Sequence, residues 1–167
     1  GGGGGVVRGL RPGARVASSR GAAGGFTTGI PTCRRRVRVA RAGRSVRGQT
    51  YQNFPVIVYD NAAGDETAAV VADLQASDAR VRYRAHAENI GAQANFISAL
   101  AQVDTPYFSM LSDDDVLLPY FYEQALARFR PPPAAAFVAT PVTLVRRRGG
   151  GPARHTTARP PAPFTCP

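Results

Sequence analysis

Three consecutive carboxylates stand where an apolar run of the chain ends. Asp113, Asp114 and Asp115, preceded by Ser112, follow directly on the apolar stretch Tyr107–Leu111. Crowded carboxylates raise one another's pKa unless a cation or strong hydrogen-bond donors neutralise them. If the apolar run is a strand of an open α/β sheet, the carboxylates lie in the crevice where such sheets bind ligands. This acidic triplet therefore predicts a site for a divalent metal or a cationic partner.

Further polar residues follow the neighbouring predicted strands. Asp60 and Asn61 come at the end of the apolar run Pro55–Tyr59, and Arg84 ends the run Val81–Arg84. Because parallel strands end at the same edge of a sheet, we expect these three residues and the acidic triplet to share one rim. The sequence contains neither a GxGxxG motif after the first predicted strand nor a GxxxxGK[ST] phosphate loop. The pattern favours a nucleotide crevice organised by carboxylates and metal.

Strand and helix periods alternate along the chain and position these residues. The predicted strands are Phe26–Thr32, Pro55–Tyr59, Val81–Arg84 and Tyr107–Leu111, with one or two more within Phe137–Val145. The predicted helices are Val37–Gly48, Glu66–Gln75, Ala92–Val103 and Leu118–Phe129. Alternating Arg residues place the third strand near a sheet edge. This order predicts a three-layer α/β domain with a mainly parallel sheet.

Helical spacing also predicts which side chains face the core. They are Val39, Ala42 and Val46 of the first helix, Val70, Val71 and Leu74 of the second, Ala92, Phe96, Ala99, Leu100 and Val103 of the third, and Leu118, Tyr122, Ala125, Leu126 and Phe129 of the fourth.

Composition divides the 167-residue chain into three parts. Residues 1–24 are Gly- and Arg-rich and are expected to be disordered, residues 25–145 form the domain, and residues 146–167 are a low-complexity tail. The net charge of +10 belongs to the ends, because all 11 acidic residues lie between Asp60 and Glu123. No aromatic interleaving accompanies the Arg residues, so we expect no specific nucleic-acid binding. A basic polyanion-binding protein is kept as the alternative from another functional class.

The two cysteines and the length of the apolar stretches indicate in which cellular compartment the chain is expected. Cys33 and Cys166 lack the spacing of a disulfide framework or a zinc site. The longest apolar stretch, Ala134–Val145, is too short to span a bilayer. We expect a cytoplasmic chain without a transmembrane segment, with attachment to the inner face of the membrane as an open alternative.

Four segments resemble the family 2 glycosyltransferases with the GT-A fold, enzymes that transfer sugars from nucleotide-sugar donors with inversion. They occur in the order and at the distances usual for that family. The segments are IPT (Ile30–Thr32), SVRGQTYQNFPVIVYDNAAGDET (Ser45–Thr67), RVRYRAHAENIGAQANFISAL (Arg80–Leu100) and YFSMLSDDDVLLP (Tyr107–Pro119). The resemblance covers roughly residues 25–145 and implies a Rossmann-like GT-A domain of three α/β/α layers.

The resemblance also implies roles for individual residues. Asp60 is similar to the Asp that accepts the imide N–H of uracil or an equivalent base edge, and Pro31 and Thr32 would line the same base pocket through their backbone. Asn89 and Gly91 resemble the N-x-G turn before the long helix, where the chain passes close to the donor. Asn61 and Arg84 are further candidates for binding the nucleotide sugar.

The acidic triplet resembles the family's DXD motif. Asp113 and Asp114 match the pair that contacts the ribose hydroxyls and a metal bound across the diphosphate. Asp114 and Asp115 are the candidate ligands of Mn²⁺ or Mg²⁺, because the register within three consecutive Asp residues is ambiguous. Such a cation would stabilise the charge that develops on the departing nucleoside diphosphate. The implied acceptor is a glycan or a lipid, and the implied pathway is the synthesis of cell-envelope polysaccharide.

The chain also departs from the family. Cys33 and Arg34 stand where the family has Tyr and Asn, and Val39 and Gly43 replace leucines. No counterpart of the acceptor half or of the general base is found, so the domain is expected to be truncated, as a frameshifted or shortened gene would produce. A catalytically inactive donor-binding fragment is therefore the alternative to an active transferase.

Simpler interpretations stand beside these roles. The acidic triplet also fits a solvated loop in which Asp115 caps the next helix. Asn61 favours turns, and Asn89 with Gly91 fits a helix-entry turn. A solvated position suits Arg84, the run Arg34–Arg36, and the two histidines, His86 and His155.

Overall fold

A computed structural model of the chain describes residues 5–8, 25–64, 66–129, 137–139, 143–146 and 154–157. The strands are β1 (Gly5–Arg8), β2 (Phe26–Thr32), β3 (Val56–Asp60), β4 (Val81–Ala85), β5 (Tyr107–Met110), β6 (Phe137–Ala139), β7 (Thr143–Arg146) and β8 (Arg154–Thr157). The helices are α1 (Arg36–Arg47), α2 (Thr67–Ser77), α3 (Ala92–Ala101) and α4 (Phe121–Ala127). None of the helices in these ranges has the length and apolar character needed to cross a bilayer.

Six strands form one sheet in the order β4-β3-β2-β5-β1-β6. The first four are parallel to one another, whereas β1 pairs antiparallel with β5 and β6. The register sets Thr32 of β2 beside Asp60 of β3, and Asp60 beside Ala85 of β4. The carboxyl ends of the three strands are therefore level, and β4 is an edge strand, as its alternating Arg residues predict.

Helices cover both faces of the sheet. Helices α1, α2 and α4 pack on one face around a core that includes Phe26, Val46 and Tyr122. Helix α3 covers the other face, where Ala99 contacts Ile57 and Tyr59. The predicted three-layer α/β/α domain with a mainly parallel sheet is confirmed. The predicted helices and strands agree with the observed ones to within a few residues.

The predicted core faces hold for α1 and hold in part for the later helices. Val39, Ala42 and Val46 are fully buried. Leu118 is 77% exposed, so its assignment to the core is wrong: α4 begins only at Phe121, and the carbonyl of Pro119 pairs with the amide of Thr50. Phe96 of α3 is 41% exposed, because α3 instead turns Asn95 and Ala99 towards the sheet. The side-chain amide of Asn95 donates to the main-chain carbonyl of Tyr59 at 3.0 Å.

Order extends beyond the predicted domain at both ends. Within residues 1–24, which the sequence predicts to be disordered, Gly5–Arg8 form β1 between β5 and β6. The division of the chain into a domain and two tails stays a prediction. The strand has the sequence GVVR, and backbone pairing with two neighbouring strands satisfies its peptide groups. In the predicted tail 146–167, Arg154–Thr157 pairs with β7 as an antiparallel hairpin. Arg146, the first residue of that predicted tail, is the last residue of β7. The rest of both tails, including Cys166, lies outside the described residues, as does the side chain of His155.

Candidate functional site

Asp60 lies at the carboxyl end of β3 and is only 3% exposed. The hydroxyl of Tyr83 donates to its Oδ2 at 2.5 Å, and the backbone amide of Ala63 donates to its Oδ1 at 3.1 Å. These two bonds orient the carboxylate, and each oxygen keeps a second lone pair that can accept. Asp60 is thus a rigid acceptor that suits an N–H donor of a ligand.

Asn61 joins the ends of β2 and β3 to the loop before α3. Its backbone amide donates to the carbonyl of Thr32 at 3.0 Å. Its side chain donates to Oδ1 of Asn89 at 2.9 Å and accepts from the amide of Ile90 at 2.9 Å. The amide of Gly91 also donates to Oδ1 of Asn89. Asn61 and Asn89 therefore act together as a clamp between two loops.

Gly91 precedes α3 with φ +87°. Apart from Gly91 and its two chain neighbours, no described residue has an atom within 4 Å of the place that a Cβ would take. Non-glycine residues disfavour this backbone conformation. The predicted helix-entry turn is thus present, and the space beside Gly91 is open to a ligand.

Asp113 connects the loop after β5 to the end of β2. Its side chain is 4% exposed, Oδ2 accepts from the hydroxyl of Thr32 at 2.7 Å, and Oδ1 lies 3.1 Å from Nη1 of Arg35. Because Thr32 also pairs with Asp60 in register, it links the acidic triplet to the predicted base-binding Asp. The sequence predicts one rim for Asp60, Asn61, Arg84 and the acidic triplet, and in the structure Asp60, Asn61 and Asp113 meet there around Thr32.

Asp114 is held by a hydrogen bond and two ion pairs. Ser112 donates to Oδ1 at 2.5 Å, while Oδ2 lies 3.7 Å from Nη1 of Arg35 and 3.4 Å from Nη1 of Arg38. The hydrogen bond from Ser112, with help from the two guanidinium charges, lowers the pKa of Asp114. Nη2 of Arg41 also donates to the main-chain carbonyl of Asp114, at 3.5 Å.

Asp115 differs from Asp113 and Asp114 in its hydrogen bonding and in its electrostatic environment. Its amide closes a turn on the carbonyl of Ser112 at 3.1 Å, and its buried Oδ2 has no hydrogen-bond partner among the described residues. Burial, reinforced by the negative charge of Asp114, raises the pKa of Asp115. Asp114 and Asp115 therefore have opposite electrostatic environments, one lowering and the other raising the pKa of the carboxyl group.

This contrast predicts opposite effects of two matched substitutions on stability. For Asp115, a folded-state pKa raised above the unfolded value of about 3.9 means that stability is present below that value and is lost as the pH rises. Asp115→Asn should then raise Tm slightly at pH 7. The stability from Asp114, whose pKa is lowered, is present above the unfolded pKa and is lost in acid, so Asp114→Asn should lower Tm slightly at pH 7.

Thermal unfolding followed by circular dichroism at pH 7 and pH 3 measures both effects. The difference in Tm between each variant and the parent chain should become smaller towards pH 3. Shifts of the same sign at pH 7 would contradict the assignment of the two environments.

The acidic triplet does not fit a divalent cation as arranged. All four oxygens of Asp113 and Asp114 already face a donor from Thr32, Ser112, Arg35 or Arg38. Among the described residues, the buried Oδ2 of Asp115 has no hydrogen-bond partner, but one carboxylate does not make a site for a cation that takes about six ligands. No cluster of three His, Cys, Asp or Glu side chains in the described part of the chain is arranged to hold a metal. The predicted ligation of Mn²⁺ or Mg²⁺ by Asp114 and Asp115 stays a prediction.

Arg84 does not join the other predicted residues. Its side chain donates to Oε1 of Gln102, the C-cap residue that follows α3. Together with Tyr59 and His86 these residues line a cavity of about 350 Å³. Asp60 pairs with Ala85, so the alternation of side chains along β4 places Arg84 on the opposite face of the sheet. His86 is half-buried and donates its amide to the carbonyl of Asp60.

Sequence reasoning missed the cations of this site. The solvated run predicted at Arg34–Arg36 makes specific contacts: Arg34 donates to the carbonyl of Ala63, and Arg36 pairs with Glu66. Arg35 and Arg38 form ion pairs with the acidic triplet. The signal was present, because crowded carboxylates require cations and three Arg residues follow the neighbouring strand. Tyr83 was missed as well, although the period of two along β4 turns it towards Asp60.

Comparison with known proteins places these features in a family. The sequence profile of glycosyl transferase family 2 matches residues 27–163, which extends past the boundary predicted at residue 145. A curated relative is GalNAc(5)-diNAcBac-PP-undecaprenol beta-1,3-glucosyltransferase of Campylobacter jejuni, 32% identical over 90 residues. That alignment covers 53% of this chain and 29% of the relative.

Solved structures share the fold. TarS of S. aureus, solved as residues 1–349 in complex with UDP-GlcNAc, superposes with a TM-score of 0.58 at 20% identity, over 62% of this chain and 30% of that one. A mannosyltransferase of Pyrobaculum calidifontis in complex with GDP-Man and Mn²⁺ superposes with a TM-score of 0.58 at 17% identity, over 64% and 32%. The chain thus spans about a third of the length of these proteins. Since the family profile matches more than half of its residues, the chain belongs to glycosyl transferase family 2.

Proposed function

We propose that this domain binds a UDP-sugar in the crevice at the carboxyl ends of β2, β3 and β5. In this proposal the domain takes part in transferring the sugar to an acceptor hydroxyl with inversion at the anomeric carbon. The observation that carries the proposal is the central position of Thr32. Its hydroxyl bonds Asp113, its carbonyl accepts from Asn61, and its backbone lies beside Asp60. Thr32 therefore connects Asp60, the proposed recognition element for the base, with the acidic triplet.

Asp60 is the proposed recognition element for the base. Its carboxylate is buried and is held by Tyr83 and Ala63, so it offers a fixed acceptor to the imide N–H of uracil. Pro31 and Thr32 would line the same pocket through their backbone. Solved structures of TarS contain UDP and UDP-GlcNAc, which supports the choice of uracil.

The clamp of Asn61 and Asn89 shapes the next part of the proposed site. It holds the loop before α3 against the end of β3, and Gly91 leaves open space beside the backbone. In the proposal, the donor passes along this open backbone, and a side chain at position 91 would obstruct it.

A departing nucleoside diphosphate gains negative charge and needs a positive partner at the transition state. A divalent cation is one source of that charge, and the mannosyltransferase named above was solved with Mn²⁺. Guanidinium groups are another source, and this chain brings Arg35 and Arg38 to the acidic triplet.

The proposed acceptor is a glycan carried on a lipid at the inner face of the membrane. The support is the name of the C. jejuni relative, which describes an undecaprenol-linked glycan. Inverting transfer requires a general base for the acceptor hydroxyl. No described residue is assigned that role.

Calorimetry with UDP, GDP and ADP tests the proposal, followed by an assay of sugar transfer from a UDP-sugar to a lipid-linked glycan. We expect UDP to bind more tightly than GDP and ADP. Binding of UDP without transfer would favour the donor-binding alternative. Failure of all three nucleotides, together with salt-dependent binding of RNA, would favour the polyanion-binding alternative.

A further inference from the structure

Four donors occupy the carboxylates of Asp113 and Asp114. Thr32 and Ser112 each hold one oxygen through a hydroxyl, and the remaining two oxygens face guanidinium nitrogens. Nη1 of Arg35 lies 3.1 Å from Asp113 and 3.7 Å from Asp114, and Nη1 of Arg38 lies 3.4 Å from Asp114. Arg35 thus lies between the two carboxylates, where a bridging metal ion would have to lie.

A divalent cation bound to these oxygens would have either to displace the two guanidinium groups or to lie against their positive charge. Mg²⁺ binds oxygen ligands at about 2.0–2.1 Å and loses its own water reluctantly. The side chains that would be displaced carry permanent positive charge, because an arginine is not deprotonated in proteins. The acidic pair is therefore already neutralised by the chain itself.

Both arginines keep donors for a further anion. Each pairs with the carboxylates through Nη1, and no hydrogen bond from Nε or Nη2 to a described residue is found. The side chains are 49% and 55% exposed. A guanidinium group binds phosphate oxygens through paired, parallel N–H donors. Arg41 lies against the same loop, and the first turn of α1 contains no acidic residue that would repel an anion.

We propose that Arg35 and Arg38, rather than a divalent cation, neutralise the diphosphate of the donor in this chain. The inference rests on the proposed function, since it concerns the same nucleotide. Asp113 and Asp114 then act as positioning residues that orient the guanidinium groups. The Nε and Nη2 donors bind the phosphate oxygens and stabilise the charge that the leaving group gains.

Calorimetric titration of UDP tests this in EDTA and again in Mn²⁺. We expect the two Kd values to agree within about threefold. A hydrogen bond to a charged group contributes about 1.5–3 kcal/mol, so Arg35→Ala should weaken UDP binding in EDTA by roughly 10- to 150-fold. Arg38→Ala should act in the same direction, and because both members of its ion pair are exposed, this variant is expected to fold.

Arg44→Ala is the matched control. Arg44 is exposed on the same helix and lies towards α2, where it lines a groove with Asp73. The Arg44→Ala substitution removes the same charge as the other two substitutions and should leave UDP binding unchanged. The losses at Arg35 and Arg38 should be larger for UDP than for UMP, because UMP lacks the β-phosphate.

The outcomes separate the inference from the proposed function. UDP binding that requires Mn²⁺ and disappears in EDTA would overturn the inference and leave the proposed function standing. UDP binding in EDTA that is equal in the Arg35, Arg38 and Arg44 variants, or equal losses for UMP and UDP, would also overturn it. Failure of UDP to bind under both conditions would reject the proposed function itself.

Discussion

Asp60→Asn is expected to weaken the binding of UDP roughly 10- to 150-fold while the fold is kept. The substitution preserves size and an acceptor for the amide of Ala63, but it removes the negative charge that accepts the imide N–H of the base. A hydrogen bond to a charged group is worth about 1.5–3 kcal/mol, which gives this range. Calorimetry of the variant with UDP measures the loss, and circular dichroism confirms that the domain is folded.

Asp104→Asn is the control, because Asp104 is exposed and the chemical change is the same. It should bind UDP like the parent chain. If Asp60 recognises the base, the loss should be the same for UMP as for UDP, in contrast to the losses at Arg35 and Arg38. An unchanged affinity of the Asp60 variant, or a loss confined to UDP, would show that Asp60 does not bind the base.

Tyr122→Ala should lower the free energy of unfolding by about 3–5 kcal/mol, the range for removing a large aromatic side chain from a core. Tyr122 is fully buried and packs edge-on against Phe26 and Phe54, at 4.8 and 5.1 Å between ring centroids. Its hydroxyl accepts a hydrogen bond from Thr28 at 3.0 Å. Equilibrium unfolding in urea measures the loss.

Tyr122→Phe separates the ring from the hydroxyl. It keeps the aromatic contacts and leaves the hydroxyl of Thr28 without its acceptor, so a loss of about 1–3 kcal/mol is expected. Tyr120→Ala, two residues earlier and 58% exposed, should change stability by less than about 0.5 kcal/mol. Equal losses for the Ala and Phe variants of Tyr122 would mean that the ring contributes little to the core.

The order of helices and strands was predictable because it depends on local periods. Val39, Ala42 and Val46 recur at helical spacing, and their burial depends only on the core lying on one side of α1. The meeting of Asp60 with Asp113 was predictable for a related reason. Both follow parallel strands, and parallel strands joined by helices all end at the same rim.

Only the tertiary structure decided how the charged side chains pair and which way they face. Arg35 and Asp113 are 78 residues apart in the chain, and their contact requires the end of β2 and the loop after β5 to be adjacent. Arg84 was assigned to the rim from its place in the sequence, but the pleat of β4 and the end of α3 direct it to Gln102. A strand position determines where a residue's backbone lies, whereas the partner of a long charged side chain depends on elements distant in sequence. For this reason the sequence by itself determined the rim and its acidic residues, and the folded chain determined which cations neutralise them.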